Sequence, residues 1–128
     1  MEMEIEKEAL DQHACQAHHL AIRDTMELLS GKWKIRIIGA LSFGKMRFMA
    51  LKASIDGIAA KMLSKELQEL ETNGLVKRTV LSSKPITVEY ELTTYGDTVK
   101  PIIELIAAWG KQHRERTIKE MKIYQSNQ

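Results

Sequence analysis

The sequence predicts a mainly α-helical chain with one small β-hairpin, an α+β fold, and three observations carry that prediction. Apolar residues recur at helical spacing through most of the chain, Gly74 stops the best-defined helical stripe, and directly after it the spacing changes from 3.6 residues to 2. Hydrophobic residues make up 44% of the 128 and charged residues 28%, the balance of a chain that buries one core. Residues 1–128 are therefore read as a single domain.

Each element follows from its local pattern. Ile22, Met26 and Leu29 fall at i, i+4 and i+7, which predicts an N-terminal helix from about Ala14 through position 30, with the first dozen residues frayed. Ser30-Gly31 interrupts, and Trp33, Ile37 and Leu41 repeat the spacing until Gly44. Arg47–Ile55 reads as a short helix with Phe48, Leu51 and Ile55 inward, ended by the turn signal Asp56-Gly57. From Ala59 to Asn73 the stripe Met62-Leu63, Leu67 and Leu70 faces inward while Lys61, Ser64, Lys65, Gln68 and Glu69 lie off it. Gly74 is placed to close that helix with a Schellman cap, Leu75 folding back onto Leu70. Val76, Arg78 and Val80, then Val88, Tyr90 and Leu92, alternate as two strands around a loop longer than a two-residue turn. Residues 94–124 read as a C-terminal helix, kinked at Pro101 or starting near it. Its apolar residues span more than one narrow stripe, so it is expected to pack on its own core and on a second surface, such as another copy of the chain.

Charge is distributed unevenly. Residues 1–30 carry two basic and seven acidic side chains, residues 31–84 carry eleven basic against four acidic for a net of +7, and residues 85–128 balance. A basic middle beside an acidic start predicts one face that meets a polyanion. Short apolar runs interrupted by charges predict no membrane span, and the acidic start is unlike a signal peptide, so a cytoplasmic location is expected. A lone Cys15 excludes an intramolecular disulfide and leaves open a bridge between two copies.

The order helix, helix, short helix, turn, helix, hairpin, helix matches a winged helix-turn-helix over residues 31–93. In that arrangement Arg47–Ile55 supports, Ala59–Asn73 enters the major groove by its N-terminal half, and the hairpin from Arg78 to Pro85 is a wing. The predicted partner is double-stranded DNA. The residues expected to meet it are Lys45 and Arg47 before the supporting helix, Ala60, Lys61, Ser64 and Lys65 on the reading helix, and Arg78 and Lys84 on the wing. An ordinary solvated face is the alternative for Lys61 and Lys65, and a winged helix that binds protein instead of DNA is the alternative for the whole. There is no glycine-rich phosphate loop, nucleophile elbow or convincing carboxylate pair, so neither an enzyme nor a cofactor is expected.

The ordered residues Gly31-Lys32-Trp33, Arg47-Phe48, Lys61-Met62-Leu63-Ser64, Gly74-Leu75-Val76, Val88-Glu89-Tyr90, Leu92-Thr93, Gly96, Pro101 and Trp109-Gly110 resemble the HxlR-type transcription regulators. The resemblance spans about Cys15 to His113. It implies a MarR-like winged helix with N- and C-terminal dimerisation helices, a homodimer through residues such as Ile22, Ile102, Ile106 and Trp109, and control of nearby genes, repression being the expectation. The regulated genes, the operator and any small-molecule effector stay open. A subset of that family senses oxidants or electrophiles through a cysteine at the place of Cys15, here followed by Gln16 instead of the common proline; Ala59 stands where the family often has a capping serine.

Cys15 therefore has two readings, a redox-sensitive thiol and an inert one at the contact between copies. On a helix Cys15, His18 and His19 share a face, with His13 nearby, a spacing that permits a metal but shows no fourth ligand, so no metal is assigned.

Overall fold

The computed structural model describes residues 2–128. Its elements run α1 (Glu2–Leu29), α2 (Lys34–Leu41), β1 (Met46–Arg47), α3 (Phe48–Ser54), α4 (Ala60–Thr72), β2 (Val76–Leu81), β3 (Thr87–Leu92), α5 (Thr94–Asp97) and α6 (Lys100–Ser126). The three strands form one antiparallel sheet in the order β1-β3-β2, with Arg78 opposite Tyr90 and Met46 on Tyr90's other side. The core is one cluster from Leu29 to Val99, in which Ile37, Ile38, Leu51, Leu63, Leu67, Leu70 and Leu75 are essentially sealed from solvent. Helix α2 lies at its centre, touching α3, α4, α6 and β3.

The end of α4 shows how local sequence becomes architecture. Gly74 takes φ +76°, Leu75 N–H donates to Leu70 O at 3.0 Å and Gly74 N–H to Glu71 O at 3.0 Å. These are the two bonds of a Schellman cap, and they turn Leu75 inward as the sequence predicts. The same corner receives the exit of the hairpin. Thr93 N–H donates to Leu75 O at 3.1 Å, and the Thr93 hydroxyl donates to Gly74 O while accepting from Gly96 N–H at 2.9 Å. Gly96 presses so close that a Cβ there would lie 2.1 Å from Leu75 O. The scattered pairs Gly74-Leu75 and Leu92-Thr93, with Gly96, thus form one joint.

At the other end of α4, the turn after α3 is held by α2. Gly57 has φ +83° and lies against the Trp33 indole, and Arg36 Nη2 donates to Asp56 O at 3.0 Å. Lys32 and Arg36 sit 4.7 and 4.9 Å from the Trp33 ring centroid, within cation–π range.

Four expectations are corrected. The N-terminal helix begins at Glu2, not near Ala14, and its first dozen residues are helical. They bury nothing, so the helix there rests on good helix formers and on Glu2 and Glu4 beside the positive helix start, not on an apolar stripe. A third strand, β1, was not anticipated because two residues cannot display a period. Met62 is 38% exposed and stands outside the core stripe, which Leu63, Leu67 and Leu70 form alone. The segment 94–124 is two helices instead of one: Thr93 caps α5, and α6 starts near Pro101, the second of the two arrangements expected there, with the proline in its first turn where the missing N–H costs nothing, then runs on to Ser126.

Candidate nucleic-acid interface

The reading helix of the predicted arrangement is α4. Ala59 occupies its N-cap with extended backbone and no side-chain hydrogen bond, so the first amides stay uncapped by any side chain. Ala60, Lys61, Ser64 and Lys65 are all exposed on its first two turns. Arg78 is exposed on β2, and Ser64, Gln68, Glu71, Arg78 and Tyr90 line a cleft of about 330 Å³ between the helix and the sheet. Lys84 is exposed at the hairpin tip.

Lys45 and Arg47 are positioned differently. Lys45 lies 3.5 Å from Glu89 on β3, and Arg47, the exposed N-cap of α3, lines a mostly apolar groove with Phe48, Met49, Ile86 and Val88. The structure therefore brings Ser64 and Arg78 to one cleft and holds Arg47 on the opposite flank of β3.

The residue that sequence reasoning missed is Lys34. Among the described residues it is the one charged side chain that is buried, and its Nζ lies 2.6 Å from Glu66 Oε2 and 2.5 Å from Glu69 Oε2. Burial by itself pulls the ammonium pKa down, but hydrogen bonds to Glu66 and Glu69 and their charges outweigh it, and the pKa lies above the ordinary lysine value. Glu69 is held below the ordinary glutamate value, first by its hydrogen bond from Lys34, then by that charge, with Lys65 adding a smaller pull. Two of the three carboxylates of α4 thus share one ammonium from behind, a triad of net charge −1, while Lys61 and Lys65 form no ion pair with any described residue. The only sequence signal for this was Glu66 and Glu69 spaced i, i+3 on one flank of α4.

The candidate pairing and sensing residues outside the winged unit are exposed. Ile22, Ile102, Ile106 and Trp109 all stand in solvent, Trp109 stacked on His113 with centroids 5.2 Å apart. Cys15 is exposed on α1, with His13, His18 and His19 exposed beside it. Among the described residues no three His, Cys, Asp or Glu side chains converge as a metal set. None of the described helices is long and apolar enough to cross a membrane.

The sequence pattern of the family described as HxlR-like helix-turn-helix matches residues 28–118. The HTH-type transcriptional regulator YtcD of Bacillus subtilis is 38% identical over 99 residues, 77% of this chain and 79% of its own. Its solved structure superposes with a TM-score of 0.70 at 39% identity, covering 73% of this chain and 96% of that one. The oxidised form of the redox regulator HypR superposes at TM-score 0.69 and 35% identity, over 72% and 95% of the two chains. Reduced YodB of B. subtilis, a transcriptional regulator, does so at 0.63 and 35%, over 72% and 90%.

Proposed function

This chain belongs to the HxlR-like helix-turn-helix family of transcriptional regulators, and from that premise we propose that it is a repressor that grips a pseudo-palindromic operator as a homodimer, α4 in the major groove and the β2–β3 hairpin as its wing. One observation supports this above the rest: Lys61, Ser64 and Lys65 stand exposed on the first turns of α4, while Glu66 and Glu69 of the same helix are turned to Lys34. A polyanion approaching that half of the helix meets the ammonium groups of Lys61 and Lys65, neither held in an ion pair by a described residue. Lys84 extends the basic surface to the wing tip, and Arg47 meets a flanking phosphate.

DNA binding of this kind weakens steeply with salt, because each neutralised phosphate releases counterions. The variant Arg47→Ala/Lys61→Ala/Lys65→Ala is expected to bind duplex DNA at least tenfold more weakly, with a log Kd against log salt slope shallower by roughly 2–3. Affinity and slope equal to the parent's sink this docking. A parent whose DNA affinity barely responds to salt favours the other reading, a winged helix that binds protein.

A second reading concerns the signal. Cys15 is exposed on α1, outside the winged unit, and HypR, solved in oxidised and reduced forms, and YodB, solved in reduced and diamide-treated forms, are 33% to 36% identical to this chain. We infer that Cys15 is the thiol through which oxidants or electrophiles act on operator binding; mild oxidation followed by operator titration tests it.

A further inference from the structure

The Lys34 ion triad has a second aspect beyond its burial. Lys65 and Glu69 are four residues apart on α4, the spacing at which a lysine and a glutamate on one helix pair with each other. In this structure they do not: Glu69 is bonded to Lys34, from α2, and Lys65 is left without a carboxylate partner among the described residues. The three side chains line one groove of about 330 Å³, with Gln68 and with Glu27 and Leu28 from the end of α1. Glu69 keeps nearly half its side chain exposed, and Lys34 is the one described residue that bonds its carboxylate. Glu66, by contrast, is almost buried and stays where it is.

We propose that Lys34 is a positioning residue for DNA binding: by capturing Glu69 from behind, with Glu66 as the buried anchor of the same ammonium, it keeps the Glu69 carboxylate off Lys65 and leaves that lysine free to meet phosphate. The inference rests on the reading of α4 as the DNA-contacting helix. Lys34 touches no DNA in this scheme. It acts through the choice that Glu69 makes between two cations, one inside the fold and one at its surface, and the shorter, more buried contact wins because it is screened least by water. The three parts come from α2 and α4, so the device also fixes the rotation of α4 on α2.

The test measures affinity for a mixed-sequence DNA duplex spanning two successive major grooves, over a range of salt concentrations, on proteins whose fold is verified by circular dichroism. The variant Lys34→Met keeps the stem and removes the charge. It is expected to bind about tenfold more weakly than the parent at low salt, with the deficit shrinking as salt rises, since repulsion between the released carboxylates and phosphate is screened. Adding Glu66→Gln and Glu69→Gln to it is expected to restore affinity to within about threefold. A merely structural role would give a deficit that salt does not change. A folded Lys34→Met protein with the parent's affinity and slope overturns the proposal. Where the single variant does not fold, Lys34→Met/Glu66→Gln, which leaves no nearly buried carboxylate unpaired, decides: salt-dependent weakening that added Glu69→Gln repairs supports the proposal, while parental affinity and slope, or a loss of folding or binding that Glu69→Gln does not repair, overturns it. A parent that shows no salt-dependent binding at all defeats the DNA-binding reading itself, a result distinct from any behaviour of Lys34.

Discussion

Glycines 74 and 96 meet at one joint and are required for different reasons. Gly74 has φ +76° with open space around its missing Cβ, so a side chain there meets no atom and costs only the left-handed backbone, about 1 kcal/mol for Ala. Gly96 has no unusual backbone, but a Cβ would lie 2.1 Å from the Leu75 carbonyl oxygen, a backbone atom fixed by the Schellman cap and by Thr93 N–H. Gly96→Ala must therefore open the joint between α4 and the wing, and should destabilise the fold by about 3 kcal/mol, against about 1 for Gly74→Ala. Urea denaturation checks this: the midpoint should fall much further for Gly96→Ala, and equal midpoints for the two variants would refute the steric argument. Nothing in the spacing of Gly96 distinguishes it from any other glycine in a helix start; its role is visible only once Leu75 is in place.

Among the elements, α1 and α6 stand apart from the rest. They are 28 and 27 residues long, yet α1 buries only Leu29 and α6 buries no residue, while Ile22 and Met26 on one and Ile102, Ile106 and Trp109 on the other are exposed at helical spacing. The first turns of α6 do reach the core, where Ile103 packs near Gly39. Helices in proteins draw most of their stability from tertiary packing, and these two have little of it. Two copies that lay these faces together would bury them, which is the arrangement proposed for the homodimer. Ile106→Asp/Trp109→Asp should convert the dimer to monomer and lower operator affinity, because two linked half-sites bind more tightly than one. Sedimentation and operator titration measure both, and a parent that sediments as a monomer contradicts the proposal. The winged unit was legible because its helices are short, amphipathic and punctuated by Gly44, Gly57 and Gly74. The early half of α1 was not, since a helix without a buried face displays no stripe, and β1 was not, since its two residues pair with β3 by position in the fold and not by pattern.

For the molecule as a whole, the proposed switch and the proposed reading head lie in different parts. Cys15 sits on α1, and among the described residues α1 joins the core cluster through its last turn, where Leu28 packs and Leu29 is buried, beside the groove that Lys34, Lys65 and Glu69 share. An oxidant effect on DNA must therefore travel through that turn or through the contact between two copies. Treatment with diamide is expected to change operator affinity of the parent severalfold and to leave Cys15→Ser unaffected; equal responses of the two proteins, or none, end the sensing role of Cys15. What the sequence determined by itself was local and periodic: which segments are helices, where Gly74 stops one, where the period becomes that of strands, and that the middle of the chain is basic. What only the tertiary structure decided was which of those charges are free. Lys34 counts toward the basic middle by composition, but it is spent on Glu66 and Glu69, 32 and 35 residues away, and so it adds nothing to the surface while leaving Lys65 available. Periodicity reports the face a residue occupies on its own element; it holds no information about which side chain from another element will be waiting there.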